Sequence, residues 1–269
     1  MPDRVKLNID QGVAEVRLNR PDKLNSLDMA MIEAIVAAGR RIAEDNSVRA
    51  VVLSGEGRAF CAGLDFASFM EMAGGSDGFG DHPLFQRGPE SPANQAQLTG
   101  YIWTELPVPV IAAVQGFAFG GGLQIALGAD IRVVSPEARL SVMEIKWGLV
   151  PDMSGTRSLR HLVRLDVAKE FTFTGRKVSG AEALQIGLAT RLADDPRAVA
   201  LEMAREIASK SPHAIRAAKE LLNRSRFVDD PEGLRLEQEM QMRVIGQPNQ
   251  VEAVMANMQK RQPNFSDPE

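Results

Sequence analysis

Between Val108 and Ala129 the chain carries no charged residue, and three consecutive glycines, Gly120 to Gly122, lie near the middle of that stretch. An apolar run this long must leave water, either across a bilayer or inside a folded core. Gln115 and Gln124 interrupt it, and glycines crowd its centre. Its β-branched beginning also gives way to a helix-favouring end, so no single spanning helix accounts for it. A buried strand, a glycine-rich turn and a buried helix do, and no membrane association is expected.

The flanking sequence also carries both strand and helix patterns, without a convincing internal repeat. Val5 to Ile9 and Val13 to Leu18 alternate apolar with polar side chains around Asp10-Gln11-Gly12, the pattern of a β-hairpin. Asp28 then precedes a helical pattern with Ile32, Ile35, Val36, Ile42 and Ala43 on one face, ending near Asp45-Asn46. Ala50 to Leu53 reads as a buried strand, Val110 to Val114 as another, Gly122 to Leu127 as a helix and Ile131 to Val134 as a return to strand. Strands alternating with helices predict α/β organisation. Gly74 to Gln95 is rich in Gly, Pro and Ser with neither periodicity and reads as a mobile loop.

After Leu140 strand signals fade. Ser179 and Glu182 have capping-box spacing, opening a helix to about Ile186 with Gly187 as its stop. Further helical patterns cover Arg197 to Ser209, Ala214 to Arg224, Pro231 to Val244 and Asn249 to Lys260. The expected division is a core over 1–195 and a helical C-terminal region over 196–269.

The formal net charge of −4 gives no basic excess, so no nucleic-acid partner is expected. A single cysteine, Cys61, excludes an internal disulfide, and His82, His161 and His213 are scattered without metal-ligand spacing. No metal site is expected. The N-terminus lacks a basic segment followed by an apolar one, and the expected setting is reducing and cytoplasmic. Cys61 lies in an apolar run and reads as a small buried hydrophobe rather than a nucleophile. There is no GxSxG serine motif.

Two glycine-bearing segments remain, SGEGRAFCAGLDFASFM after the Ala50 strand and VIAAVQGFAFGGGLQIALGAD in the apolar run. A glycine turn before a helix is most often only a tight connection, and neither segment is a phosphate loop, because GGGLQ lacks the following Lys-Ser/Thr. Taken with LNRPDKLNSLD, MEIKWGLVPDMSGTRSL and FTGRKVSGAEALQIGLATRL, however, they resemble the enoyl-CoA hydratase/isomerase (crotonase) superfamily over nearly the whole chain. The resemblance implies a crotonase-like spiral of ββα repeats with a C-terminal helical trimerisation region, assembled as a homotrimer or homohexamer. It also implies an acyl-CoA thioester substrate, with coenzyme A part of that substrate and no separate cofactor.

By the same resemblance, the backbone N–H groups of Leu64 and Gly121 form an oxyanion hole. Two such donors stabilise the enolate-like charge on a thioester oxygen, and losing one costs about 3 kcal/mol. Ala62, Asp65, Phe66, Gly120 and Lys23 are the further positions it sets along the substrate and its CoA portion; Asp65 also suits a helix N-cap, and Lys23 a solvated loop. The hydratases of the superfamily carry two glutamates, at positions matching Gln124 and Glu144 here. Only the second is a carboxylate, and an amide cannot exchange a proton near neutral pH. Gln124 can orient a water or the thioester, or be an ordinary polar helix residue. Asp152 follows Glu144 at the spacing of the dienoyl-CoA isomerases and the 3-hydroxyisobutyryl-CoA hydrolases; locally it also suits an N-cap for a helix over Thr156 to Val163. The expected chemistry is double-bond migration, with Glu144 removing a proton and the oxyanion hole holding the enolate. Hydration, hydroxyacyl-CoA hydrolysis and acyl-CoA binding without turnover are the alternatives.

Overall fold

The computed structural model describes residues 3–67, 70, 82–89 and 91–269. Strands β1 (Val5–Asp10) and β2 (Val13–Leu18) form the predicted hairpin, paired antiparallel from Val5 opposite Leu18 to Asp10 opposite Val13. Helix α1 (Met29–Ala43) follows, its first turn capped by Asp28, whose carboxylate accepts from the Met31 N–H at 2.8 Å. Then come β3 (Ala50–Gly55), α2 (Gln95–Glu105), β4 (Val110–Val114), β5 (Phe117–Phe119), α3 (Gly121–Gly128), β6 (Ile131–Val134) and β7 (Arg139–Ser141). The remainder is α4 (Gly155–Leu162), α5 (Leu165–Thr174), β8 (Val178–Ser179), α6 (Gly180–Gln185), β9 (Arg191–Leu192), α7 (Pro196–Ala208), α8 (Pro212–Ser225), α9 (Asp230–Val244) and α10 (Pro248–Met258).

The main sheet has the order β1-β2-β3-β4-β6-β9, parallel from β2 onward. Its central strands read as unbroken apolar runs because both faces are covered. Val51 and Leu53 of β3 and Val110, Ala112 and Val114 of β4 join the larger core with α1, α2 and α3. Their alternates, Ala50, Val52, Ile111 and Ala113, meet Ala200, Ala204 and Ala208 of α7 on the other face. Alanines at every fourth position give α7 a smooth stripe along the sheet.

A second sheet, β5-β7-β8, is absent from the periodicities because its strands are two or three residues long. It corrects the reading of the central apolar run, since β5 lies between the buried strand β4 and the glycines. It also corrects the reading after Leu140, where β8 and β9 continue the sheets. The Ser179 cap forms, its hydroxyl accepting from the Glu182 N–H at 3.1 Å, but the Glu182 carboxylate pairs with Arg176 at 2.5 Å instead of closing a capping box. A complete capping box is made by Asn94 and Gln97 at the start of α2, where the sequence reading saw the end of an irregular loop. Much of the Gly74 to Gln95 stretch lies outside the described residues; within it, Pro83–Phe85 forms a 3-10 turn and Arg87 bridges Asn94. Among the described residues, no helix is long and apolar enough to cross a membrane.

Candidate active site

The two glycine-bearing segments meet through the second sheet. Cys61 donates its N–H to the Phe117 carbonyl at 2.9 Å, and Phe119 returns an N–H to the Cys61 carbonyl at 3.1 Å, so residues 59–61 run beside β5. On the far side Leu27 clips the same segment, donating to the Gly63 carbonyl at 2.8 Å and accepting from the Asp65 N–H at 2.9 Å. Gly63 has φ +88°, and a Cβ there would stand 2.6 Å from the Phe119 carbonyl oxygen, so glycine is required for this approach. That same Cβ position is 3.7 Å from the Gly121 nitrogen, so Gly63 lies against the residues that open the next helix. Among the described residues, neither the Leu64 N–H nor the Gly121 N–H donates a hydrogen bond within the protein. Gly121 opens α3, where first-turn N–H groups have no intrahelical acceptor and the helix dipole favours negative charge.

The loop carrying Leu64 is held from below by Asn25. Fully buried with φ +55°, Asn25 donates through Nδ2 to the carbonyls of Glu56, Ala59 and Phe60 at 2.9, 2.8 and 3.2 Å and accepts from the Arg20 N–H at 2.8 Å. Sequence reasoning passed over it; the one available signal was an asparagine, a residue that tolerates a left-handed φ, in the loop between Pro21 and Asp28. Arg20 then pairs with Asp65 at 2.7 Å, and the Ala67 N–H donates to Asp65 at 3.2 Å. Asp65 thus makes the local cap contact and anchors the loop, and it does not line the cavity described next. Lys23 is exposed on the Pro21–Lys23 turn and does not itself line that cavity, while the next residue, Leu24, accepts from the N–H of the lining residue Ala62 at 2.9 Å.

A cavity of about 410 Å³ opens beside the two N–H groups, within the size range of small-molecule sites. Ala62, Gly63, Leu64, Phe66, Gly120 and Gly121 line it, and among the described residues Glu144 and Asp152 are its carboxylates. Ile32, Leu84, Phe85, Ala96, Met143, Trp147, Leu149, Val150 and Met153 complete an otherwise apolar wall. Trp147 and Phe66 stack with ring centroids 3.6 Å apart. Trp147, Phe85 and Met153 were not foreseen from the sequence, because a lining assembled from six separate segments leaves no local pattern.

Glu144 begins a 3-10 turn (Glu144–Trp147) after β7 and is only 8% exposed. Burial pushes its carboxyl above the ordinary glutamate range; nearby backbone N–H groups and the Gln124 amide oppose this, and the neighbouring Asp152 charge adds to it. Burial likewise raises Asp152, opposed by its own backbone N–H. The Asp152 carboxylate therefore belongs to the cavity. The N-cap position of α4 is occupied by Ser154, which corrects the alternative reading of Asp152. Glu144 Oε1 accepts from Gln124 Nε2 at 2.6 Å, while Oε2 is buried without a hydrogen-bond partner among the described residues. Gln124 is 2% exposed and sits behind the cavity rather than on its wall. Cys61 is fully buried, its thiol pushed up to about 12 by burial, in keeping with a packing role.

Two N–H groups without a protein acceptor, on residues that line one apolar cavity, are of the kind that stabilises an oxyanion, and a raised, half-satisfied carboxylate in the same cavity can accept a proton. The sequence profile described as enoyl-CoA hydratase/isomerase matches residues 8–268. The chain belongs to the enoyl-CoA hydratase/isomerase family. Relatives in that family include enoyl-CoA hydratase domain-containing protein 2, mitochondrial, of Mus musculus, 32% identical over 95% of this chain and 85% of its own length. Short-chain-enoyl-CoA hydratase of Clostridium acetobutylicum is 33% identical over 96% of each chain. Among solved structures, enoyl-CoA hydratase from Bacillus anthracis aligns with a TM-score of 0.87 and 32% identity, covering 97% of this chain and 98% of that one. The mixed α/β fold is thus that of solved enoyl-CoA hydratases of the family.

Proposed function

We propose that this family member acts on enoyl-CoA thioesters and moves their carbon–carbon double bond. In this reading the Leu64 and Gly121 N–H groups hold the thioester oxygen, and Glu144 Oε2 removes a proton from the carbon beside the carbonyl. The resulting dienolate is reprotonated further along the chain, breaking no bond to coenzyme A. The observation that carries the reading is the direct 2.6 Å hydrogen bond between Gln124 and Glu144. It leaves Glu144 with one available oxygen and no gap in which those two side chains could hold a water between them. Incubation with a β,γ-enoyl-CoA should produce the conjugated absorbance of the α,β isomer. Absence of that signal, while other acyl-CoAs turn over, refutes the assignment.

Hydration is the second reading. Asp152 supplies another carboxylate in the same cavity, and the relatives above are named hydratases. Loss of conjugated absorbance from an α,β-enoyl-CoA, abolished by Asp152→Asn, would favour it; thiol release would point instead to hydrolysis. We read the strand and helix units up to 195 as turns of a ββα spiral and the helices from 196 as the assembly region. Leu222, Leu234, Met242, Val254 and Met258 are exposed on α8 to α10, which supports a homotrimer or a pair of trimers. Light scattering at a monomeric mass would remove that reading.

A further inference from the structure

The side chain of Gln124 is used at both ends. Its amide nitrogen donates to Glu144 Oε1 at 2.6 Å, and its carbonyl oxygen accepts from the Met153 N–H at 2.8 Å and the Gly155 N–H at 3.0 Å. These partners fix the orientation of the amide. Turned over, it would set an NH2 group against two N–H donors and a carbonyl against a carboxylate.

Each end controls a different carboxylate. The donor end occupies Oε1 of Glu144, leaving buried Oε2 as the atom open to a substrate proton. The acceptor end ties down the turn that follows Asp152. That turn contains Ser154 at φ +70°, a left-handed conformation that a non-glycine residue keeps only when its surroundings hold it there. Asp152 and the tied Met153 N–H are adjacent in the chain, so the two carboxylates of the cavity share one anchor.

We infer that Gln124 is a positioning residue, an amide required because only a group with a permanent donor at one end and a permanent acceptor at the other can hold both Glu144 and the Asp152 turn. It carries no proton and does not stand in for a hydratase glutamate. This rests on the reading of Glu144 as the base. A glutamate at 124 has the same shape but the wrong polarity. The Met153 and Gly155 N–H groups favour its ionised form, so a proton shared by the two carboxyls resides on Glu144 and removes the base.

The decisive experiment is Gln124→Glu, examined in two ways. In pH profiles of kcat/KM for a β,γ-enoyl-CoA, the acid limb should move up by at least about one pH unit, the effect of a like charge in contact. At a fixed pH kcat should fall about tenfold for each unit by which that limb passes the assay pH, with KM little changed because the cavity wall is untouched, and no hydration of an α,β-enoyl-CoA should appear. Titration of ligand-free enzyme labelled at glutamate Cδ, with the Glu144 carbon resonance assigned through Glu144→Gln, should report the same upward shift without any turnover. Gln124→Met, which keeps the volume and loses both polar ends, should lower kcat at least tenfold in protein whose thermal unfolding remains cooperative. Three results overturn the inference: an unmoved Glu144 titration in Gln124→Glu, hydration gained by that variant, or wild-type kcat in Gln124→Met. Full turnover by Glu144→Gln would overturn the assignment of the base instead, and the carbon titration would still decide the role of Gln124.

Discussion

Adding one methyl group at Gly122 should disable the site without removing any group that touches substrate. A Cβ on Gly122 would lie 2.3 Å from the Cys61 carbonyl oxygen and 2.8 Å from Cys61 Cβ, where ordinary contact begins near 3.4 Å. Roughly 1 Å must therefore be found between two backbone segments in a close-packed interior, and neither offers a flexible side-chain end that can swing away. The first segment opens α3 and carries the Gly121 N–H; the second leads directly to the Leu64 N–H. Gly122→Ala thus spreads the two donors. A displacement near 1 Å at a reacting geometry lowers the rate about 100-fold, or roughly 3 kcal/mol of transition-state stabilisation, while overpacking lowers stability by about 1–3 kcal/mol. The assay is kcat/KM for an enoyl-CoA, measured well below the unfolding midpoint determined on the same sample, so that lost activity is separated from lost fold. Wild-type kcat/KM in a folded Gly122→Ala enzyme would refute the claim that both N–H groups act on one oxygen.

Glu144→Gln should abolish proton transfer yet raise the thermal midpoint at pH 7–8. A carboxyl whose folded pKa lies above its unfolded one favours the fold at low pH and loses that contribution as pH rises through the folded value, so the variant's advantage should vanish below about pH 4, where the carboxyl is neutral in both states. No gain at alkaline pH in a calorimetric series would contradict the burial argument. Lys219, 8% exposed, pairs with Asp130 at 2.8 Å and donates to the carbonyls of Trp103 and Val108 at 3.1 and 2.9 Å. Lys219→Met should destabilise the chain by about 3 kcal/mol in urea unfolding, because it leaves a carboxylate and two carbonyls without their cation. Asn25→Asp keeps the left-handed φ but replaces a donor to three carbonyls with an acceptor; a stability loss of about 3 kcal/mol and a matching fall in kcat are expected, and an unchanged kcat in folded protein would separate Asn25 from the Leu64 loop.

The helices after 196 were legible almost to the residue, since each repeats an amphipathic period over three or four turns. The strands β5, β7, β8 and β9 were not, because two or three residues carry no period. Yet β5 is the element that brings Cys61 and Gly63 against Gly121, so the least legible part of the fold positions the best-supported part of the site.

What the sequence alone determined is the family, carried by five motifs that follow one another along the chain. Gly63 and the Gly120 to Gly122 run are the positions at which that resemblance expects backbone to approach backbone, and glycine at those places is visible in the chain. The tertiary structure decided what surrounds the donors: the cavity wall of Trp147, Phe66 and Phe85, the Asn25 support, and the partners of Gln124. An isolated glutamine is compatible with solvent, with a water or with a neighbouring side chain. Its role followed only once folding brought Glu144, Met153 and Gly155, which are 20, 29 and 31 residues away, within hydrogen-bond reach of its two ends. Hydrogen-bond direction depends on such long-range neighbours, and no local pattern encodes them.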